Sequence, residues 1–523
     1  MCGSRGNGAA LDGSLRVTNA AFFRSGWPAA VLSGGLLYLC FPPVGWGFLI
    51  PLAPVPLLVA LARRDLRLKR AAALGYVSHL IFYLLLLRWL LNLDPSALPH
   101  PEIRFPLWLL ASAYLALYGA AFGSVVVALG RRWRASPLLF APFVWVALEY
   151  LKGWGDLGFT WGQLCYALAS YPVAIQVASL GGCPAVSLLV LIVGALLAAF
   201  LRTRRGSLLL VAGCTAAAAL GFGALRLQGH DRGPSLRVSV VQPDLAAYEK
   251  WDSNRRERNL NILARLTAQA DGNDPDMIVW PETAALVDLT VHSYGTERVR
   301  KLARRSRTYL LAGFPRLHEG TARNSAALLS PDGDILDLYD KIHPVPFSER
   351  MPLGPVFSWV NRANLGQSDF AAGSRATVFR LAQSDFGVLI CFESTFRELA
   401  RRLVRDGADF LVVITNDAWF GKGAGSAEQH AWMSVLRAVE TGRPVVRCGN
   451  TGISMFIDSR GRVLSALPPW REGVLTEDIE VSPNRTLYLS WGDWVTYLCL
   501  AVIGALLLAG TIRGVVHASA YES

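Results

Sequence analysis

The sequence predicts a two-part chain: an α-helical polytopic membrane domain of about eight spans, and an α/β domain in which helices cover buried strands. Three observations carry this expectation. Apolar residues make up 52% of the 523 residues and charged ones only 17%, against roughly 25% charged in a soluble domain. The apolar excess, with a mean hydropathy of +0.34, is concentrated in the first 230 residues and again near the C-terminus. From Leu236 onward, short β-rich runs alternate with amphipathic helical patterns. This composition excludes a disordered chain, a secreted disulfide scaffold and an ordinary cytosolic enzyme.

Apolar runs at or near spanning length cover 29–42, 46–62, 72–91, 107–130, 137–151, 182–201, 207–226 and 494–512, since roughly 20 residues cross a hydrocarbon core. The first, second and fifth are short or interrupted by Pro and Gly. The net charge of +12 sits wholly in four clusters. They are Arg5, Arg16 and Arg24 against Asp12; Arg63, Arg64, Arg67, Lys69 and Arg70 against Asp65; Arg131, Arg132 and Arg134; and Arg202, Arg204 and Arg205. Each lies in a tail or short connector beside an apolar run, the positive-inside signature, and not in a patch suited to nucleic acid. Placing the clusters in the cytoplasm puts both termini inside, and connectors 92–106 and 152–173 outside. The expected division is 1–226 with seven spans, 227–493 as an extracytoplasmic domain, and 494–523 with a last span and a short tail. No cleavable signal peptide is evident, and Cys2 lacks the preceding apolar run of a lipidation site.

Of the cysteines, Cys40, Cys183, Cys214 and Cys499 lie in or beside spans and Cys165 lies in an outer connector. Only Cys391 and Cys448 belong to the α/β domain. These two could pair outside the cytoplasm, but no repeated spacing marks a disulfide framework or a zinc site. No ligand cluster stands out among the eight histidines, so neither a metal nor an organic cofactor is expected.

Within the α/β domain, strands are expected at 236–241, 277–280, 308–313, 386–391, 410–414 and 453–457. Asp332-Gly333 and Ser459-Arg460-Gly461 each sit between two strand-like runs and signal hairpins. Helices are expected at 253–270, 295–306, 394–406 and 427–441, so the second half repeats the first: strand, helix, strand, hairpin. Continuous apolar strands covered by helices imply layered packing.

Three segments end strands with reactive side chains. In Val279-Trp280-Pro281-Glu282 the proline stops the strand and leaves Glu282 at its C-terminal edge. Asp340-Lys341-Ile342-His343-Pro344-Val345-Pro346-Phe347-Ser348-Glu349 is an extended loop after a hairpin. Leu389-Ile390-Cys391-Phe392-Glu393 delivers a thiol just before a helix expected to begin at Ser394. A cysteine attacks as the thiolate, so it needs a base for its proton and a cation for the negative charge. Glu282 can be that base and Lys341 that cation. Singly, each has a plain structural reading: a core thiol, a solvated loop acid, and a lysine ion-paired with Asp340. Cys448, in Val446-Arg447-Cys448-Gly449-Asn450, reads as structural.

The three segments together resemble the Glu-Lys-Cys set of the nitrilase (carbon–nitrogen hydrolase) superfamily over roughly 227–490. With the flanking spans, the whole chain is similar to the bacterial apolipoprotein N-acyltransferase family. Further matching segments are Lys250-Trp251-Asp252, Thr415-Asn416-Asp417-Ala418-Trp419-Phe420-Gly421, Glu428-Gln429-His430, Arg437-Ala438 and Gly442-Arg443-Pro444. The resemblance implies an αββα sandwich and a ping-pong acyl transfer. In it Glu282 is the base, Cys391 the nucleophile and Lys341 the oxyanion stabiliser, with Glu349 and Glu393 as supporting acids. Cys391 would take a fatty acyl chain from a phospholipid as a thioester. The α-amino group of the diacylglyceryl-cysteine of an apolipoprotein would then accept it. The implied partners are therefore the phospholipid donor and the diacylated apolipoprotein, for a monomer in the bacterial inner membrane with its catalytic domain on the periplasmic side. Trp251 matches an aromatic near the acyl chain. Phe392 departs from the Tyr of some members, which removes a hydroxyl there.

Both substrates are greasy, and drawing an acyl chain into water costs about 0.8 kcal/mol per methylene, so the site is expected at the outer leaflet. The apolar stretch from Met351 to Trp359 suits a lid over that surface, with Trp419 and Phe420 on its rim; ordinary loop packing explains any one of them equally well. Glu149, near the end of the fifth run, is an intramembrane acid in need of a polar partner. Two other functions fit parts of the chain. A membrane-tethered amidase or nitrile hydrolase would use the same three residues with water. A transporter with an inert outer domain would need more ionisable residues in its spans than Arg88 and Glu149.

Overall fold

Apolar, β-branched-rich runs, buried on both faces at the centre, form the strands of two six-stranded sheets. The computed structural model describes residues 25–519 except 96–97, 99, 230–232, 247–252, 353–368, 424 and 482–483, and of 511–519 only the helical backbone. The Lys250-Trp251-Asp252 segment and most of the stretch from Met351 to Trp359 therefore lie outside the described residues.

In the first sheet β1 (Ser235–Gln242), β2 (Met277–Val279) and β3 (Tyr309–His318) run parallel. The antiparallel β4 (Thr321–Leu329) and β5 (Ile335–Asp340) extend it on one side. The second sheet repeats the plan. Its β7 (Asp385–Ile390), β8 (Phe410–Thr415) and β9 (Val445–Gly449) are parallel, and β10 (Ser454–Ile457) and β11 (Val463–Leu467) continue antiparallel. Each half lends the remaining edge strand: β6 (Val378–Arg380) pairs with β7, and β12 (Gly473–Glu480) pairs with β1.

The sheets meet face to face through Val238, Val240, Val279 and Leu311 on one side and Val388, Ile390, Val412 and Val446 on the other. Helices Arg256–Asp271 and Tyr294–Ser306 cover the first sheet; Arg397–Arg405 and Ser426–Thr441 cover the second. The result is the αββα sandwich that the resemblance implies.

Several boundaries differ from expectation, each for a physical reason. β3 runs on to His318 because it pairs along its whole length with β4 around a turn at Glu319-Gly320, both at positive φ. β9 hides in the sequence because Arg447 interrupts its apolar run, although that side chain is fully buried. β12 reads as a charged loop, with Glu477, Asp478 and Glu480, because it is an edge strand with one wet face. The helix expected from Ser394 begins at Arg397, because a 3₁₀ turn occupies Cys391–Thr395.

Among the described residues, four helices are long and apolar enough to cross a membrane by length and composition: Leu68–Asn92, Pro101–Arg132, Ala178–Thr203 and Gly206–Leu227. Trp27–Leu39 and Trp494–Gly510 are shorter apolar helices. The run 46–62 divides into a turn at Gly47–Leu49 and the helix Val55–Leu61, and 137–151 gives the helix Ala141–Lys152 after a turn at Pro137–Leu139. Glu149 finds its partners here: its Oε1 accepts from Trp145 Nε1 at 3.0 Å and from the Leu164 amide at 2.8 Å, tying its helix to the connector that follows it.

The helix Ser426–Thr441 is buried along nearly its whole length, because the second sheet lies on one side of it and the membrane domain on the other. Gln429 Nε2 donates to the Pro42 carbonyl at 2.9 Å, and Glu440 Oε1 accepts from the Cys183 amide at 2.8 Å. One apolar cluster therefore runs unbroken from the outer face of the second sheet into the membrane helices.

Helices Leu68–Leu86 and Arg104–Arg132 touch backbone to backbone. A Cβ on Gly75 would stand 2.0 Å from the Gly119 carbonyl oxygen, and one on Gly119 would stand 2.4 Å from that of Gly75. Gly75→Val and Gly119→Val are each expected to lower the melting temperature of the detergent-solubilised protein by several degrees. Gly213→Val, where no atom lies within 4 Å of the added Cβ, is expected to leave it unchanged; differential scanning fluorimetry reads all three.

Candidate active site

Lys341 and Cys391 each follow directly on a strand end and Glu282 lies three residues beyond one, and the fold turns the three ends toward one another. After β2 the chain stays bonded to β3 through the Trp280 amide and the Leu311 carbonyl (2.8 Å), and Glu282 then leaves the sheet. Gly313 makes room: a Cβ there would lie 2.5 Å from the Pro281 carbonyl oxygen and 2.8 Å from Glu282 Cα. Lys341 follows β5, its amide held by the Asn324 carbonyl at 2.9 Å. Cys391 follows β7 with φ of 54°, a left-handed backbone that non-glycine residues adopt mainly at functional turns. Thr283 and Phe347, in the other two segments, also have positive φ.

The lysine is not the surface partner of Asp340. Asp340 instead pairs with Arg316 (3.2 Å) and Arg323 (3.4 Å), while Lys341 is 1% exposed. Its Nζ lies 2.7 Å from Glu349 Oε2 and 3.5 Å from Glu282 Oε1. Asn324 Nδ2 bridges the two acids, donating to Glu282 Oε1 at 2.7 Å and to Glu349 Oε1 at 3.0 Å. The Asn416 amide donates to Glu282 Oε2 at 2.7 Å, and the Val345 amide to Glu349 Oε2 at 2.8 Å. Burial works against the charge on Lys341, but Glu349, Glu282 and Cys391 together raise it above the ordinary lysine range.

Glu393 plays a different part. It is fully buried and accepts from Tyr339 Oη (2.7 Å) and from the amides of Ile342 (2.6 Å), His343 (3.1 Å) and Ile390 (2.7 Å). It thus clips the loop after Lys341 to the strand before Cys391. Burial pushes its carboxyl up to about 7 against the pull of these donors.

Cys391 is half-buried. Burial first, then the Glu282 carboxylate, push its thiol well up, while Lys341 and a hydrogen bond with Thr415 pull it down. Cys391 is thereby coupled to both other strand-end residues. Cys448 is a free thiol as well; it sits between the sheets and donates to the Val241 and Val279 carbonyls, each at 3.3 Å.

Ligand-type atoms of Cys391, Asp417 and His430 lie within 4.8 Å of one another. The set fits a metal poorly. Both His430 ring nitrogens and both Asp417 oxygens already have partners, and the Arg447 guanidinium lies 2.9 Å from Asp417.

Trp419 and Phe420 are half-buried beside the membrane domain. The Trp419 carbonyl accepts from the Asp94 amide at 3.1 Å, and the Phe420 ring packs edge-on to Trp89, centroids 4.9 Å apart. Trp251 and Trp359 lie outside the described residues. Sequence reasoning gave no role to Asn324, which lies mid-strand with nothing in its neighbours to mark it. Asp417 and His430 were within reach, since both fall in the quoted matching segments.

Two sheets of this order under two helix layers, with a carboxylate, an ammonium and a thiol at facing strand ends, define a nitrilase-type α/β enzyme, here mounted on membrane helices. The carbon-nitrogen hydrolase family matches residues 237–485, and the apolipoprotein N-acyltransferase N-terminal domain matches residues 33–196. The apolipoprotein N-acyltransferase of Geobacter metallireducens is 35% identical, covering 92% of this chain and 94% of its own. That of Gloeobacter violaceus is 34% identical over 93% of each chain. Among solved structures, an amidase from Nesterenkonia sp. is similar at 19% identity with a TM-score of 0.39, over 50% of this chain and 96% of its own. The chain belongs to the apolipoprotein N-acyltransferase family, and is an acyltransferase.

The electrostatics predict how the thiol titrates. Alkylation of Cys391 by iodoacetamide, followed by peptide mass spectrometry, should reach half its maximal rate at a pH above the roughly 8.5 of a free cysteine. Glu282→Gln removes a raising charge and should shift that midpoint down; Lys341→Met removes a lowering charge and should shift it up. Shifts of the opposite signs would contradict the assigned couplings.

Proposed function

We propose that the protein transfers a fatty acyl chain from a phospholipid to the α-amino group of a diacylglyceryl-cysteine, by way of a thioester on Cys391. Glu282 takes the Sγ proton as the sulfur attacks the ester carbonyl, and Lys341 faces the oxyanion that forms. Collapse breaks the ester C–O bond, and Glu282 returns the proton to the departing lysophospholipid oxygen. The acceptor amine then attacks the thioester, Glu282 takes a proton from it, and the sulfur leaves and is reprotonated. Glu349 keeps Lys341 charged and Glu393 keeps its loop in register. One observation carries this reading: a buried ammonium within 3.5 Å of Glu282 and coupled to the Cys391 thiol. That arrangement suits a sulfur nucleophile better than a water-activating site.

The remaining parts of the reading follow the same chemistry. Residues 1–226 and 494–523 supply eight crossings of a bacterial inner membrane, and 227–493 faces the periplasm. Trp251, Trp359, Trp419 and Phe420 contact the acyl chains, and the protein acts as a monomer without a cofactor.

Intact-mass spectrometry after incubation with a phospholipid of defined chains tests the first half-reaction. The wild type should gain one acyl mass, lost on hydroxylamine treatment and absent from Cys391→Ala. Adding a diacylated lipopeptide should discharge the acyl group onto the peptide amine. Glu282→Gln should slow acylation by about 10²–10⁴-fold, the usual contribution of a general base. Acyl mass persisting in Cys391→Ala, or hydrolysis of small amides with no response to lipid, would overturn the proposal.

A further inference from the structure

Behind Cys391 lies a second charged network, which the Glu282–Lys341 pair does not use. Asp417 opens the turn after β8, His430 lies on the helix Ser426–Thr441, and Arg447 stands mid-strand in β9. All three are at most 1% exposed. His430 Nδ1 lies 2.9 Å from Asp417 Oδ1, and Asp417 Oδ2 accepts from Arg447 at 2.9 Å. Burial opposes the Asp417 charge, but Arg447 first and then His430 hold its carboxyl well below the usual range.

The other face of the imidazole meets the nucleophile's own backbone. His430 Nε2 lies 3.1 Å from the Cys391 carbonyl oxygen, which also accepts from Ser394 Oγ at 2.8 Å. A carbonyl only accepts, so the contact at Nε2 is a hydrogen bond when that nitrogen carries the proton; Ser394 Oγ also lies 3.1 Å from Nε2, and Arg447 comes within 3.1 Å of Nδ1. The ring is then fixed from the membrane side. Trp161, in the connector after Ala141–Lys152, stacks on it with centroids 5.6 Å apart at 29°, and its Nε1 donates to Gln429 Oε1 at 2.8 Å.

Two facts converge: a left-handed backbone at Cys391, and a buried imidazole, clamped by Asp417 and Arg447, set against that residue's carbonyl. We infer that His430 is a positioning residue for the acyl transfer. By holding the Cys391 carbonyl it fixes the peptide from which Sγ projects, and so keeps the sulfur aimed between Glu282 and Lys341. Asp417 and Arg447 hold the imidazole, and Trp161 makes that hold depend on the docked membrane domain. The inference rests on Cys391 being the nucleophile.

The test is thioester formation by the full-length protein in detergent, followed by mass against phospholipid concentration. His430→Phe keeps a ring of similar size but loses both nitrogens. It should lower the maximal acylation rate by about 10²-fold, the scale of a 1 Å misplacement, while the KM for phospholipid stays within about twofold. His430→Gln, whose amide can still donate to the carbonyl, should recover about a tenfold part of the loss. If His430→Phe does not fold, Ser394→Ala removes the other donor to the same carbonyl together with its contact to His430 Nε2; it should slow acylation severalfold at unchanged KM. Wild-type acylation rates in both His430→Phe and Ser394→Ala, or no recovery in a folded His430→Gln, would overturn the inference. Absence of a thioester in the wild type would instead remove the nucleophile reading, and this inference with it.

Discussion

The site depends on one buried cation shared by two buried anions. An ammonium taken out of water loses hydration worth several kcal/mol, and each carboxylate loses as much. The loss is offset only where geometry is close and the remaining lone pairs are satisfied. Around Lys341 they are: Glu349 at 2.7 Å and Glu282 at 3.5 Å supply charge, and Asn324, the Val345 amide and the Asn416 amide occupy the carboxylate oxygens. The trio has a net charge of −1 while Cys391 is a thiol. Ionising the sulfur in place would add a second uncompensated negative charge in a poorly solvated site. The thiol is therefore held in its protonated form at rest.

That arrangement needs three loops held more firmly than loops usually are, and the backbone shows how. Thr283, Phe347 and Cys391 all have positive φ, each unfavourable alone and stable only where the surroundings over-determine it. Glu393 does much of this for two of the three loops, binding amides on both sides of the site with one carboxylate. The helix Ser426–Thr441 does the rest from behind. Because its far side packs on the membrane helices, the sandwich and the membrane domain share an apolar core. They are two architectures joined through one helix that packs on both.

Much of this was legible in the sequence. Five of the six parallel strands, both hairpins and the four covering helices follow from period-2 and period-3.6 apolar patterns. The reactive residues stood out because Pro281, Pro344 and Pro346 mark where strands must stop. What escaped was whatever depends on partners distant in the chain. β9 escaped because the charge of Arg447 inside it is met only by Asp417, thirty positions away. β12 looked like a loop because its partner, β1, lies more than 200 residues upstream. Asn324 carries no local signal; its role exists only once β4 has been brought alongside Glu282. The membrane part shows the same limit: composition located the apolar runs, while Pro51, Pro54 and Pro56 decided that 46–62 would be a turn and a short helix rather than one rod.

Phe392 shows how far the site tolerates change beside a fixed nucleophile. Where some relatives of the sequence motif carry a tyrosine, this chain packs a bare ring edge-on against Phe396, centroids 5.0 Å apart, and Phe396 in turn stacks on His343 at 4.6 Å. Those rings wall a cavity of about 520 Å³ between the catalytic domain and the outer connector, with Thr160, Arg350 and Arg397 also on its surface. A phenol there would add a hydroxyl facing the cavity; it would not join the Lys341 trio, whose hydrogen-bond acceptors already have donors. Charge thus gathers on one side of the Cys391 turn and ring packing on the other. The 3₁₀ turn at Cys391–Thr395 is what separates them: it sends the thiol toward Lys341 and the following ring toward the membrane domain.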